Sequence, residues 1–114
     1  MEQHPVVRMT LADHVLASPA EIGHVEVRRI TLAPGVQPGA HWHNGPVFGV
    51  IESGSVHFQV GDGPERMLGP GDTFFEPGDE TIGRFDATDE GVTFLGWFPM
   101  PMGEAPDLIM GPRN

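Results

Sequence analysis

The sequence predicts an all-β domain, closed as an antiparallel barrel or jelly roll, on three observations. Glycine and proline clusters punctuate the chain about every 8–12 residues, the turn spacing of small β domains. Between the clusters, apolar and polar side chains alternate with the period of two that a half-buried strand requires. No segment keeps a helical period clear of proline.

Taken in order, residues 6–16 mix apolar and polar positions and leave a strand or a single helical turn open, until Ser18-Pro19 ends them. Residues 24–32 read as a strand. Val25 and Val27 share one face, and Ile30 and Leu32 continue it after a bulge at Arg28-Arg29. Ala33-Pro34-Gly35 and Gln37-Pro38-Gly39 exclude a helix between that strand and His41. Residues 47–51 form a short apolar run, and Glu52-Ser53-Gly54 reads as a turn. Val56, Phe58 and Val60 alternate with His57 and Gln59, and Gly61-Asp62-Gly63-Pro64 is a hairpin loop. Residues 66–68, 73–76, 81–85 and 92–98 supply the remaining strands. The tail over 99–114 is expected to be irregular. The chain reads as one domain over 1–114, with residues 1–23 as an N-terminal segment.

Missing residue types narrow the chemistry. The 114 residues contain no cysteine and no tyrosine, and all six basic residues are arginines. Disulfides, thiolate nucleophiles, Schiff bases and a phosphate-cradling lysine are therefore excluded. The formal net charge of −10 makes phosphate backbones and anionic lipid poor partners. Neither nucleic acid nor membrane is expected, and no apolar stretch near Met1 has signal-peptide length, so the expected location is the cytoplasm.

His41-Trp42-His43 carries the clearest chemical signal. On a strand, residues two apart face the same side with Cα atoms roughly 6.5–7 Å apart, within reach of one metal ion. On a helix the same spacing would point the rings nearly opposite ways. The pair alone also fits two surface histidines in a polar loop.

The surroundings add to it. Gly35, five further residues, His41-Trp42-His43 and then residues 47–54, closing on Gly54, resemble the first motif of the cupin superfamily. Gly71-Asp72-Thr73-Phe74-Phe75-Glu76-Pro77 resembles the start of its second motif. The resemblance spans about residues 30–98. It implies a jelly-roll barrel, a divalent metal such as Fe, Mn, Ni or Zn in the barrel mouth, a small-molecule ligand, and a homodimer.

The match is incomplete at the metal ligands. His41 and His43 take the two histidine positions of the first motif, but its glutamate position falls on Val47. In the second motif the glycine falls on Asp79, the histidine on Ile82, and the closing asparagine near Asp86. Two imidazoles alone hold a divalent ion poorly. Glu76, at the strand end beside Pro77, is the best third donor and would complete a two-histidine, one-carboxylate set. A solvated carboxylate at a strand end is its other reading. Arg84 shares a face with Ile82 if the strand is regular, and would then clamp a substrate carboxylate. Pairing with Asp86, Asp79 or Glu80 at the rim is the alternative. Glu76 and Arg84 are thus the candidate catalytic residues, and His41, His43 and Glu76 the candidate metal ligands.

Asp72 reads as a turn cap, and His4, His14, His24 and His57 as residues without a role in chemistry. Phe48, Phe58, Phe74, Phe75, Phe85, Phe94 and Phe98 are expected to fill the barrel. Trp42 should lie opposite the histidine pair, and Trp97 should cover the barrel end or a dimer contact. The functional expectation is a metal-dependent protein acting on or binding a small organic molecule by dioxygenase, isomerase or lyase chemistry. The alternative is a metal-free small-ligand or sensor protein whose pocket is made more apolar by Val47 and Ile82.

Overall fold

Seven strands, all antiparallel, account for the regular structure of the computed structural model, which describes residues 5–114. They are β1 (His24–Leu32), β2 (His41–His43), β3 (Val47–Val60), β4 (Arg66–Leu68), β5 (Thr73–Glu76), β6 (Ile82–Met100) and β7 (Leu108–Met110). The order along the sheet is β4-β3-β6-β2-β7, with β1 on β6 and β5 on β3. The expected all-β jelly-roll barrel is therefore present. No helix of the described residues is long and apolar enough to cross a membrane. His4 lies outside the described residues.

The barrel closes because β3 and β6 are long and bent. Residues 52–54 were expected to turn, and residues 81–85 and 92–98 to form separate strands. Instead each pair of runs merges into one strand, with register shifts at Ile51/Ser53 and Gly54/Val56. Such bulges bend a strand without ending it. Gly54 and Gly91 have φ of 74° and 70°, and a Cβ on Gly54 would lie 2.0 Å from the Gly91 carbonyl oxygen. Two glycines touching at this corner let the paired strands turn together, which a local turn signal does not reveal.

Period-two alternation then sorts the side chains. Val47, Ile51, Val56, Phe58, Phe74, Phe85, Phe94 and Phe98 point inward and are buried. Phe58, Phe74, Phe85 and Phe94 form a cluster of tilted and edge-on rings, with centroids from 4.8 Å to 6.0 Å apart. Each fully buried ring contributes roughly 1.5–3 kcal/mol of transfer free energy. Phe48 and Phe75 do not fill the barrel. They follow Val47 and Phe74 and so face outward, stacked at 5.1 Å.

Other expectations change for local reasons. Residues 6–16 form neither strand nor helix; they lie exposed along the outer face, where His14 stacks on Phe75 at 4.9 Å. β1 has no bulge, since its register runs unbroken from His24↔Met100 to Leu32↔Val92. Val25 and Val27 consequently point outward while Ile30 and Leu32 pack against the core. Trp97 sits within the ladder, opposite Val27 and Phe48, not at the barrel end. The tail is not wholly irregular: β7 pairs with β2, matching His43↔Leu108, Trp42↔Ile109 and His41↔Met110. Asp72 caps its turn as expected, accepting a hydrogen bond from Gly69 N at 2.8 Å.

Candidate metal centre

Backbone pairing on both sides of β2 aims the two histidines. β6 holds one edge through His41↔Ile82, and β7 holds the other. Beyond β2, the Asp79 amide donates to the His43 carbonyl at 2.8 Å. Asp79 is the one non-glycine residue with positive φ, 61°, among the described residues. It occupies the motif's glycine position, where the left-handed conformation suits glycine and aspartate alike. Trp42 faces away from the histidines, and the Arg113 guanidinium lies 4.7 Å from the centre of its ring.

His41, His43 and Glu76 come together inside the barrel. They are 4%, 9% and 3% exposed, and their ligand atoms lie within 4.8 Å of one another. The carboxylate reaches the group from the end of β5, as expected for Glu76, and not from the strand that carries the motif's glutamate position. Val47, at the motif's glutamate position, is the register partner of Glu76. The carboxylate thus enters from the directly opposing position on β5, on the same face of the sheet. Ile82, at the motif's histidine position, stands opposite His41 and is fully buried.

The donor atoms are arranged for a cation. His41 Nδ1 lies 3.0 Å from the Gly39 carbonyl oxygen, so that nitrogen donates and Nε2 faces Glu76. Glu76 Oε2 is 2.8 Å from His43 Nε2 and 3.7 Å from His41 Nε2. Neither contact has hydrogen-bond geometry, and this buried oxygen is left without a donor. Burial pushes the His41 imidazole pKa down, but Glu76, the Gly39 carbonyl and the charge of Asp86 outweigh it and leave it raised. Burial likewise pushes the Glu76 carboxyl up, and the two imidazoles outweigh that and hold it below its ordinary range. Two nitrogens and one carboxylate, with an orphaned oxygen among them, fit a divalent first-row metal ion with positions left open for a ligand.

Arg84 is not part of the group. The register passes from Gln59↔Arg84 to Val60↔Ile82, so Gly83 is an extra residue and the alternation flips there. Ile82 points inward and Arg84 outward, where its guanidinium binds Asp86 at 2.7 Å and also pairs with Glu65. His57, on the same outer face, lies 3.5 Å from Glu65. His24 makes a 2.6 Å hydrogen bond to the Glu104 carbonyl.

A cavity of about 120 Å³ adjoins the three ligand candidates, walled by Ile30, Leu32, Phe74, Phe94, Phe98 and Leu108 among others. Leu108 was not anticipated. The only sequence signal for it is a three-residue apolar run, Leu108-Ile109-Met110, between prolines.

The cupin domain family model matches residues 28–95, well over half of the chain. The chain belongs to the cupin family. Solved cupin structures share its fold. The DMSP lyase DddQ from Ruegeria pomeroyi DSS-3 superposes with a TM-score of 0.65 at 22% identity, covering 79% of this chain and 45% of that one. An oxalate decarboxylase from Bacillus subtilis, described for its Mn(II) centres, gives 0.62 at 24% identity, covering 70% and 22%. An RmlC-like cupin from Shewanella frigidimarina NCIMB 400 gives 0.58 at 24%, covering 69% and 68%. This cupin therefore spans less than half the length of the two enzymes. No curated protein matches the sequence at a significant level.

Proposed function

We propose that this cupin binds a divalent metal through His41, His43 and Glu76, and acts on a small organic molecule by dioxygenase, isomerase or lyase chemistry. The observation that carries the reading is the buried, donorless Oε2 of Glu76, facing two imidazoles from the position opposite Val47. A divalent cation there supplies Lewis-acid activation of a substrate oxygen. The chain's own residues do the rest. The Gly39 carbonyl orients His41, the Asp79 amide and β7 hold the strand carrying His43, and the aromatic wall excludes water. With no lysine, tyrosine or cysteine in the sequence, Glu76 is the candidate to move a proton. Metal-dependent cupin structures such as the oxalate decarboxylase support the class of chemistry, not the reaction.

The second reading, a metal-free binding protein, draws on the same contact. In it, the contact between His43 and Glu76, 2.8 Å apart, closes the group without an ion. Metal content of tag-free protein separates the two, measured for wild type beside His41→Ala/His43→Ala. Near-stoichiometric metal in wild type, lost in the double variant, is the expected result. Wild type that stays metal-poor after soaking in Fe(II), Mn(II), Ni(II) and Zn(II) leaves the metal-free reading.

A further inference from the structure

Among the described residues, His41, His43 and Glu76 supply all the polar side chains that line the cavity beside them; the rest of the wall is hydrocarbon. No arginine lines it. The Arg28 guanidinium lies 4.8 Å from the centre of the Phe98 ring but is engaged by Glu26 at 3.0 Å. Arg84 is taken up by Asp86 and Glu65 on the outer face. A ligand group pointing away from the three polar residues therefore finds no hydrogen-bond partner, and burying a second polar group there is unfavourable.

The length of the space also has a visible limit. Leu108 is the register partner of His43, so its side chain stands on the same, inward face. Leu108 is 48% exposed whereas Phe74, in the same wall, is 1% exposed, so Leu108 marks where the cavity meets solvent. We infer that the site takes a small molecule with a single oxygen-bearing head at His41, His43 and Glu76 and a hydrocarbon remainder, whose length Leu108 limits. The head rests on the metal-site reading above; the remainder rests on the apolar wall alone.

Calorimetric titration tests both parts, using straight-chain alkanoates from acetate to octanoate and the dicarboxylates of equal carbon number. Each is titrated into zinc-loaded and metal-stripped protein, with zinc quantified in every sample. Alkanoate affinity should rise by about fourfold per methylene until the chain outgrows the cavity. Dicarboxylates should bind about tenfold more weakly or worse, because the far carboxylate is left unpaired. Leu108→Ala should move the chain-length limit to longer acids and Leu108→Phe to shorter ones, so the outcome does not depend on one variant folding. Equal binding of mono- and dicarboxylates, or a limit unmoved by both substitutions, overturns the inference. A chain-length trend in protein that holds no zinc even after loading upholds the apolar remainder and removes the metal-site reading. Zinc retained without any chain-length trend does the reverse.

Discussion

Glu76 and Asp86 are both buried carboxylates with one oxygen that no donor reaches, yet their partners differ in kind. Asp86 accepts a 2.7 Å hydrogen bond from Arg84, a cation that does not lose its proton in proteins. Its charge is met permanently, on the outer face of β6, and there is little left for an ion to supply. Glu76 faces only imidazoles, whose charge comes and goes, and one of them is oriented by a backbone carbonyl with its second nitrogen toward the carboxylate. An acid next to arginine is a finished ion pair; an acid among histidines is a candidate coordination set. The contrast explains why one buried carboxylate is a metal candidate and the other is part of the barrel wall.

The contrast can be broken most sharply at Glu76. Glu76→Gln keeps the shape but removes the charge, and should weaken metal binding by about a hundredfold or more, since even outer-shell changes cost 10–100-fold. Competition with a chromophoric chelator reads this directly, and an unchanged affinity would remove Glu76 from the ligand set. The cross-strand register permits a subtler version. Because Val47 and Glu76 oppose each other on one face, Val47→Glu combined with Glu76→Val moves the carboxylate from β5 to β3 across a single ladder step. The swap should bring affinity back to within about tenfold of wild type, the lower end of such supporting-shell losses. Failure to recover would mean that strand β5 contributes more than a carboxylate. The smallest effect belongs to Asp86→Asn. Metal content should stay at the wild-type level while the melting temperature falls by a few degrees, because Arg84 loses one of its two acidic partners. Metal lost from this variant would show that the two carboxylates are not separate.

Much of this was legible in the residues. Strand β1 follows from its residue types, β2 from the prolines that exclude a helix before His41, and the pairing of His41 with His43 from their spacing, whereas Glu76 joined them as a third donor only through the cupin resemblance. What the sequence did not show depends on contacts between distant segments. A bulge at Gly83 reverses the direction of Arg84, and it shows only in the register of β6 against β3. The same kind of matching turned an expected break at residues 52–54 into a bend. Phe48 and Phe75 are as apolar as Phe74, so hydrophobicity alone did not distinguish the face that lines the barrel from the one that carries His14. Leu108 joins the site through pairing with a strand 65 positions earlier, His43↔Leu108, which no local pattern encodes.

The corner where Gly54 meets Gly91 sets terms for anyone adapting this barrel to other ligands. Cavity-lining residues such as Leu32, Phe94 and Leu108 are side-chain choices, open to randomisation in search of new pockets. At the corner a Cβ on Gly54 would lie 2.0 Å from the Gly91 carbonyl oxygen and a Cβ on Gly91 would lie 3.0 Å from that of Leu32, with both residues in left-handed conformation. A library that varies the two positions together should return glycine at both, whatever ligand is selected, because each position meets backbone of its own and holds a left-handed φ.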